Sequence, residues 1–234
     1  VRLVLALLLG IAATSLSARS YPPAYDAPAS VRAWQELAKD DRYRILTVEP
    51  FEDRPYRPYA PSTELADIRY LYDSSDEEAF RFESMLTGQE RESRRSLLVM
   101  TSFTVPGRQI FQFKPIEPIR IEGQPYRLAV WVRSQEYLHR LEFLFRNADG
   151  RLIRVDAGRL YWKGWRRLDL TLPAELHRMG RRITHRTGAA FEGIVIYSHP
   201  KSDPGAISLQ FDSLLILSDF SGLRYPGGEV VDEW

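Results

Sequence analysis

The chain has no cysteine. That excludes disulfide staples, thiolate nucleophiles and thiolate metal sites, and a domain of this size can hold together without them. Lysine is nearly missing too: among 32 basic residues the lysines are Lys39, Lys114, Lys163 and Lys201, an arginine bias that interface use and a GC-rich genome both produce. The four histidines, His139, His177, His185 and His199, lack the short spacing that sets two imidazoles on one metal, and each reads as a surface or turn residue. No stretch carries GxSxG, a Walker loop, HExxH or GxGxxG after a strand, so the common nucleophile, phosphate-binding and zinc motifs are missing. A glycosidase needs two carboxylates facing across a cleft, which spacing alone does not reveal in a β-sandwich. Charge of one sign is lacking as well, with 32 basic against 31 acidic residues, which gives no electrostatic case for a nucleic-acid partner.

The one long apolar run, Leu3 to Ile11, follows Arg2 and precedes small residues with Ser15-Leu16-Ser17. It is shorter than the roughly 20 residues of a spanning helix, so residues 1–17 read as a cleaved signal peptide rather than a membrane anchor. Cleavage would remove Arg2 alone among charged residues, leaving 31 basic against 31 acidic ones.

What is present is alternation. From Tyr126 to Leu172 the apolar residues keep a period of two through four segments: Leu128, Val130, Val132; Leu141, Phe143, Phe145; Ile153, Val155; and Leu168, Leu170, Leu172. Arg133, Glu142, Arg146, Arg154, Arg167 and Asp169 fall on the opposite faces, so each strand is expected to have one apolar and one wet face. Asn147-Ala148-Asp149-Gly150 supplies a tight reversal between the second and third segments, which are therefore expected to be antiparallel neighbours.

Before that stretch, Ser30 is a candidate N-cap for a short helix carrying Val31, Trp34, Leu37 and Ala38 on one face. A strand is expected from Tyr43. Pro50, Pro55, Pro58 and Pro61 then suggest an irregular loop bearing Tyr56 and Tyr59, and Glu64 to Tyr72 fits strand or helix. Ser96–Val105, Gln109–Phe113, Ile119–Ile121, Phe191–Tyr197 and Ile207–Leu217 read as further strands. The run ELHRMGRRITHRTG after Pro173 reads as a basic loop with at most one helical turn, carrying Arg178, Arg181, Arg182 and Arg186.

Many strands with Pro and Gly turns and no alternating helices point to an all-β fold: an antiparallel two-sheet β-sandwich of jelly-roll, carbohydrate-binding-module-like type with a short N-terminal helix. The expected division is residues 1–17 signal peptide, 18–42 arm and helix, 43–220 sandwich, and 221–234 an acidic, Gly-rich tail. Trp131 lies out of phase with its neighbours, so either the N-terminal segment or a partner must cover it. Trp162 and Trp165 form an aromatic feature that could meet a sugar, pack on another subunit, or fold back on the core. Glu52, Asp53 and Asp212 are candidate carboxylates for a structural Ca²⁺.

The order of residues from Ser96 to Trp234 resembles the flagellar filament outer-layer protein FlaA family of spirochaetes. The resemblance rests on Ile121, Gly123 and Val130-Trp131-Val132, on Gly164-Trp165, on Phe211-Asp212-Ser213-Leu214, and on the ending VVDEW. Ser213 stands where the family commonly has a second Asp. The resemblance implies a non-catalytic, exported subunit that sheathes the periplasmic flagellum. It would touch flagellin core subunits, other sheath proteins and its own copies, need no cofactor, and have no membrane contact after signal cleavage. The contacts would come from exposed-looking elements: Tyr56, Tyr59, Trp162, Trp165, Arg178, Arg181, Arg182 and Trp234. A secreted carbohydrate-binding module is the alternative.

Mass spectrometry of the exported protein should find residues 1–17 removed; a secreted chain that retains Leu3 to Ile11 would contradict this reading.

Overall fold

The computed structural model describes residues 27–59, 66–72, 84, 86–88, 94–176 and 188–221. They form two antiparallel sheets packed face to face, with one helix on the outside. Sheet A runs β10 (Lys163–Thr171), β7 (Gln124–Gln135), β12 (Gly205–Asp219), β4 (Ser96–Phe103) and β3 (Ala66–Leu71), and β1 (Tyr43–Glu49) also pairs with β12. Sheet B runs β2 (Tyr56–Tyr59), β5 (Ile110–Pro115), β11 (Ala190–Tyr197), β8 (Arg140–Arg146) and β9 (Leu152–Arg159), with β6 (Ile119–Arg120) also on β11.

The patterned stretch is divided between the sheets. Its inner two segments form the expected hairpin, β8 with β9, where Gly150 takes φ +83° and Asn147 exchanges main-chain bonds with Arg151 and Gly150. Its outer two segments, β7 and β10, pair with each other in sheet A. The period-two residues Leu128, Val130, Val132, Leu141, Phe143, Phe145 and Leu168 lie together in the core between the sheets, with Leu170 packed at its margin.

The longest strand, β12, changes phase partway. Ile207, Leu209 and Phe211 face the core before Asp212-Ser213, and Leu214 and Ile216 face it afterwards. The shift occurs at a bulge between Asp212 and Leu215, where Ser213 adopts φ +47°. An extra residue flips every later side chain to the other face, so Leu215 and Leu217 turn outward.

The structure corrects several expectations. Alternation predicted a wet outer face for each strand, yet Ala129, Trp131, Leu215 and Leu217 are buried on the outside of sheet A. They are roofed by α1 (Ala27–Ala38), which begins ahead of Ser30, so Ser30 lies within the helix rather than at its cap. Pro28 fits in the first turn, where its missing N–H has no helical partner to lose. Tyr56–Tyr59 is an edge strand on β5 rather than an irregular loop; an edge tolerates Pro58 because one side of its backbone meets no strand. Ala66–Leu71 is likewise an edge strand, on β4. The basic run after Pro173 opens, as the sequence allows, with a single helical turn, the 3-10 turn Ala174–Leu176, and residues 177–187 lie outside the described residues. No helix of the described residues is long and apolar enough to cross a membrane, and residues 1–17 lie outside them.

Phe143 is fully buried at the centre of the inter-sheet core. Phe143→Ala should lower unfolding free energy by about 3–5 kcal/mol, through lost burial plus a cavity that close packing does not refill; urea melts will measure it, and an unchanged midpoint would show the register is wrong.

Candidate interaction surfaces

The outward residues of sheet A converge beneath α1. Across the strands, Arg167 of β10 stands beside Trp131 of β7, which stands beside Asp212 of β12, and Asp169 stands beside Ala129. Trp34 of α1 is fully buried against Ala129, Trp131, Leu215 and Leu217, with Leu37, Tyr43, Ile45, Leu86 and Trp165 packed around them. One carboxylate fastens the helix. Asp169 Oδ2 accepts the Trp34 indole N–H at 3.0 Å and the Arg167 guanidinium at 3.1 Å, and Oδ1 faces Arg127 at 3.2 Å. Arg167 is a solvated residue by alternation and a buried one in the fold, because the helix roof removes water from its side of the sheet.

Trp131, Trp165 and Asp212 carried part of the family resemblance, and the fold brings them to this one covered face. Gly164 takes φ +86° at the start of β10, a conformation strained for an L residue. Trp165 follows it into the packing under the helix. Trp162 is half-buried against the main core, donates its indole N–H to the Val132 carbonyl at 3.3 Å, and has the Arg166 guanidinium 5.4 Å from its ring centre.

Sheet B presents a different outer face. One row across it reads Asp156, Glu142, Val195, Gln112 and Tyr59, and the next reads Arg140, Tyr197 and Ile110. Glu142 is the hub. Its side chain is 8% exposed and faces Arg140 at 2.8 Å and Arg154 at 3.4 Å, two arginines about half exposed, while the Tyr197 hydroxyl donates to it at 2.8 Å. Arg154 also donates to the Tyr197 hydroxyl. Arg140 lies 4.6 Å over the Tyr197 ring, and Lys114 Nζ lies 3.9 Å over Tyr59. Burial and the bond to Glu142 raise the Tyr197 hydroxyl above its ordinary pKa. Tyr59, Ile110 and Leu152 are exposed on this side. The cations Arg57, Lys114, Arg140, Arg146 and Arg154 outnumber the carboxylates Glu142, Asp156 and Glu192.

Of the residues expected at contacts, Tyr59 stands on this open face. Tyr56 packs on the main core beside Phe51 and Phe113, and Trp162 and Trp165 have the packing roles just given. Arg178, Arg181, Arg182 and Trp234 lie outside the described residues. Of the histidines read as surface or turn residues, His139 lies in the connection between β7 and β8 but not at the surface. It is buried, its Nδ1 accepts the His199 N–H at 3.1 Å, and burial with His199 nearby lowers its pKa to about 4. The Ca²⁺ candidates are otherwise engaged: Glu52 accepts the Arg95 N–H at 3.2 Å, and Asp212 is buried with the Ser213 hydroxyl donating to it at 3.1 Å. Among the described residues no group of three or more His, Cys, Asp or Glu could hold a metal. The Glu142 hub escaped sequence reading because alternation reports which face a residue takes and not how many cations reach it.

A family model described as flagellar filament outer layer protein Flaa matches residues 92–224. A flagellar filament outer layer-like protein of Brachyspira hyodysenteriae is 27% identical over 109 residues, 47% of this chain and 50% of that protein. The chain thus matches about half the length of this curated relative. Among solved structures, a study of carbohydrate-binding modules of the β-sandwich superfamily overlaps with TM-score 0.46 at 10% identity, covering 72% of this chain and 59% of that one. A family 11 carbohydrate-binding module of Clostridium thermocellum overlaps with TM-score 0.41 at 9% identity, covering 74% and 93%. Nothing about ligands follows from overlaps this loose.

Asp169→Ala should release α1. It removes the Asp169 carboxylate from the buried Arg167 guanidinium and from the Trp34 indole N–H, a loss of about 3–5 kcal/mol for a buried pair broken on one side. Limited proteolysis should then cut within Ala27–Ala38 while the inter-sheet core persists; an uncut helix would show that apolar packing alone holds it.

Proposed function

Because the chain belongs to the flagellar filament outer layer protein FlaA family, we propose that it is a non-catalytic sheath subunit of a periplasmic flagellar filament. In this reading it is exported through residues 1–17, coats a flagellin core together with other sheath proteins, and modulates filament stiffness or curvature. The observation that carries the assignment of surfaces is the contrast between the two outer faces. The outer side of sheet A over β7 and β12 is roofed by α1, whereas sheet B carries tyrosines, arginines and exposed apolar side chains. Aromatic and Arg anchors contribute most of the binding energy in protein interfaces. The excess of cations on sheet B suits a partner that presents carboxylates. Arg178, Arg181 and Arg182 extend this proposal as sequence-derived contacts.

The buried acids support a structural rather than a catalytic role, because each is engaged in fastening strands. Glu49 accepts the Phe51 N–H at 2.8 Å and pairs with Arg54 at 2.7 Å; burial pushes its carboxyl up, and these partners oppose the shift. Glu142 and Asp169 hold arginines of their own sheets. A carbohydrate-binding reading would need aromatic faces open to sugar rings. Here Lys114 lies over Tyr59, Arg140 over Tyr197 and Arg166 over Trp162, and Trp165 packs beneath α1.

Tyr59→Ala combined with Lys114→Glu changes the rim of the open face without touching the Glu142 hub. Quantitative mass spectrometry of isolated filaments should show incorporation reduced about tenfold, as for loss of a modest hot spot, with altered filament curvature and a soluble protein of unchanged melting temperature. Normal incorporation and curvature would remove sheet B as the contact face, and a gene deletion that leaves filaments and swimming unaltered would overturn the sheath reading.

A further inference from the structure

Sheet B ends on a long edge at β9. Among the described residues this strand pairs on one side only, with β8. The Asn147 N–H donates to the Arg151 carbonyl at 2.9 Å. Arg151, Ile153 and Val155 therefore turn their main-chain groups to β8, and Leu152, Arg154 and Asp156 turn theirs away from it. Natural sheets blunt such edges by shortness, proline, lysine, bulges or a covering element. The other edges carry these devices. β2 has four residues including Pro58, the Tyr70 hydroxyl ties β3 to the Arg54 carbonyl at 2.5 Å, and α1 reaches over β10 through Trp34 on Asp169. β9 has eight residues with neither proline nor lysine, and its bulge, at Ala157, comes only after Asp156.

The two charged residues that turn their main-chain groups outward are opposite in sign, and each keeps unused bonding capacity. Arg154 meets Glu142 and the Tyr197 hydroxyl through Nη1 alone, which leaves Nε and Nη2; Asp156 accepts the Gly158 N–H with Oδ1 at 2.9 Å, which leaves Oδ2. We infer that β9 pairs antiparallel with β9 of a second copy about a two-fold axis, with Val155 opposite Val155 and Arg154 facing Asp156 of the second copy on either side of the axis. Main-chain bonding requires outward residues to meet one another. Arg154 on Arg154 would set like charges together, and Arg154 on Leu152 would leave the guanidinium without a counter-charge. Arg154 on Asp156 gives two charge pairs with main-chain hydrogen bonds on both sides of the axis. The bulge at Ala157 ends this ladder before Arg159 would meet Arg151 of the second copy. Opposed side chains share a face, so the outer faces of the two copies of sheet B run on as one. Each is ~500 Å² for five strands of about six residues, and the joined face of ~1,000 Å² exceeds the roughly 800 Å² that a standard interface takes from one partner. That consequence rests on the sheath reading, with the subunit docking as a pair; the pairing itself does not.

Sedimentation equilibrium of the full soluble chain should show a monomer–dimer equilibrium. Asp156→Asn keeps an acceptor for the Gly158 N–H and removes the charge, and Asp156→Lys reverses it. The dimer dissociation constant should rise roughly threefold for the first and about tenfold for the second, at unchanged melting temperature. Because the chain has no cysteine, cross-linking reads the register directly. Directly opposite residues lie ~5.5 Å apart, within disulfide reach, whereas diagonal ones lie ~7–8 Å apart. A mixture of the Arg154→Cys and Asp156→Cys chains should therefore form disulfide-linked dimers on non-reducing gels about tenfold faster than either variant alone. A chain that stays monomeric to millimolar concentration, a dimer indifferent to Asp156→Lys, or a mixture that links no faster than its components would each overturn the inference. These measurements use the free protein, so their failure leaves the filament reading, which is tested on isolated filaments, untouched.

Discussion

Beneath α1, the Asp169 carboxylate takes the indole N–H of Trp34 and the guanidinium groups of Arg127 and Arg167, and that buried knot holds the cover on sheet A. Without it, Trp131, Leu215 and Leu217 would face water, at roughly 1.5–3 kcal/mol for each large side chain. The bulge at Asp212-Ser213 serves the same end. It turns Leu215 and Leu217 toward the helix while Phe211 and Leu214 stay in the inter-sheet core. Helix, bulge and carboxylate are thus one solution to a sheet that is apolar on both sides.

Among the described residues, no helix roofs sheet B as α1 roofs part of sheet A, although Leu144 and Val195 are buried on its outer side. Five strands at ~4.8 Å spacing and about six residues of each give roughly 24 by 20 Å, or ~500 Å². A standard interface takes roughly 800 Å² from each partner. Sheet B alone is therefore smaller than a stable contact requires, and a sheath subunit using it must recruit neighbouring elements. The charge clustering around Glu142 has a second consequence. Because Arg140 and Arg154 are already held by a buried carboxylate, they lose less freedom on docking than isolated surface arginines would.

The sequence made the core legible where period two and turn chemistry agreed, as in the β8–β9 hairpin and in Leu128, Val130 and Val132. It also placed Trp131 on the face opposite those residues. For Trp131 it left two covers open, the N-terminal segment or a partner, and the fold supplies the first; for Arg167 and Asp169 it offered none, because alternation specifies a face and not what lies over it, so both read as solvated. Proline misled at Tyr56–Tyr59, since a strand at an edge accepts what a central one rejects. The phase change in β12 was hidden because Leu214-Leu215-Ile216-Leu217 is apolar throughout. His139 read as a surface or turn residue, and it does lie between two strands; its burial was not legible because it depends on Phe103 and His199, both distant in the chain. Of the contact residues that are described, Tyr59 came to stand on the outer face of sheet B, Tyr56 packs on the core, and Trp162 and Trp165 have apolar neighbours that no local pattern announces.

The central claim is that this chain coats a flagellar filament through the outer face of sheet B while α1 keeps sheet A closed. Hydroxyl-radical footprinting of the protein, free in solution and assembled on isolated filaments, tests it most directly. The account predicts that Tyr59, Ile110, Leu152 and Tyr197 become protected on assembly while Trp34 and Trp131 stay protected in both states. Protection that appears instead on the outside of α1, at Arg32 or Glu36, with sheet B as reactive as in the free protein, would contradict it.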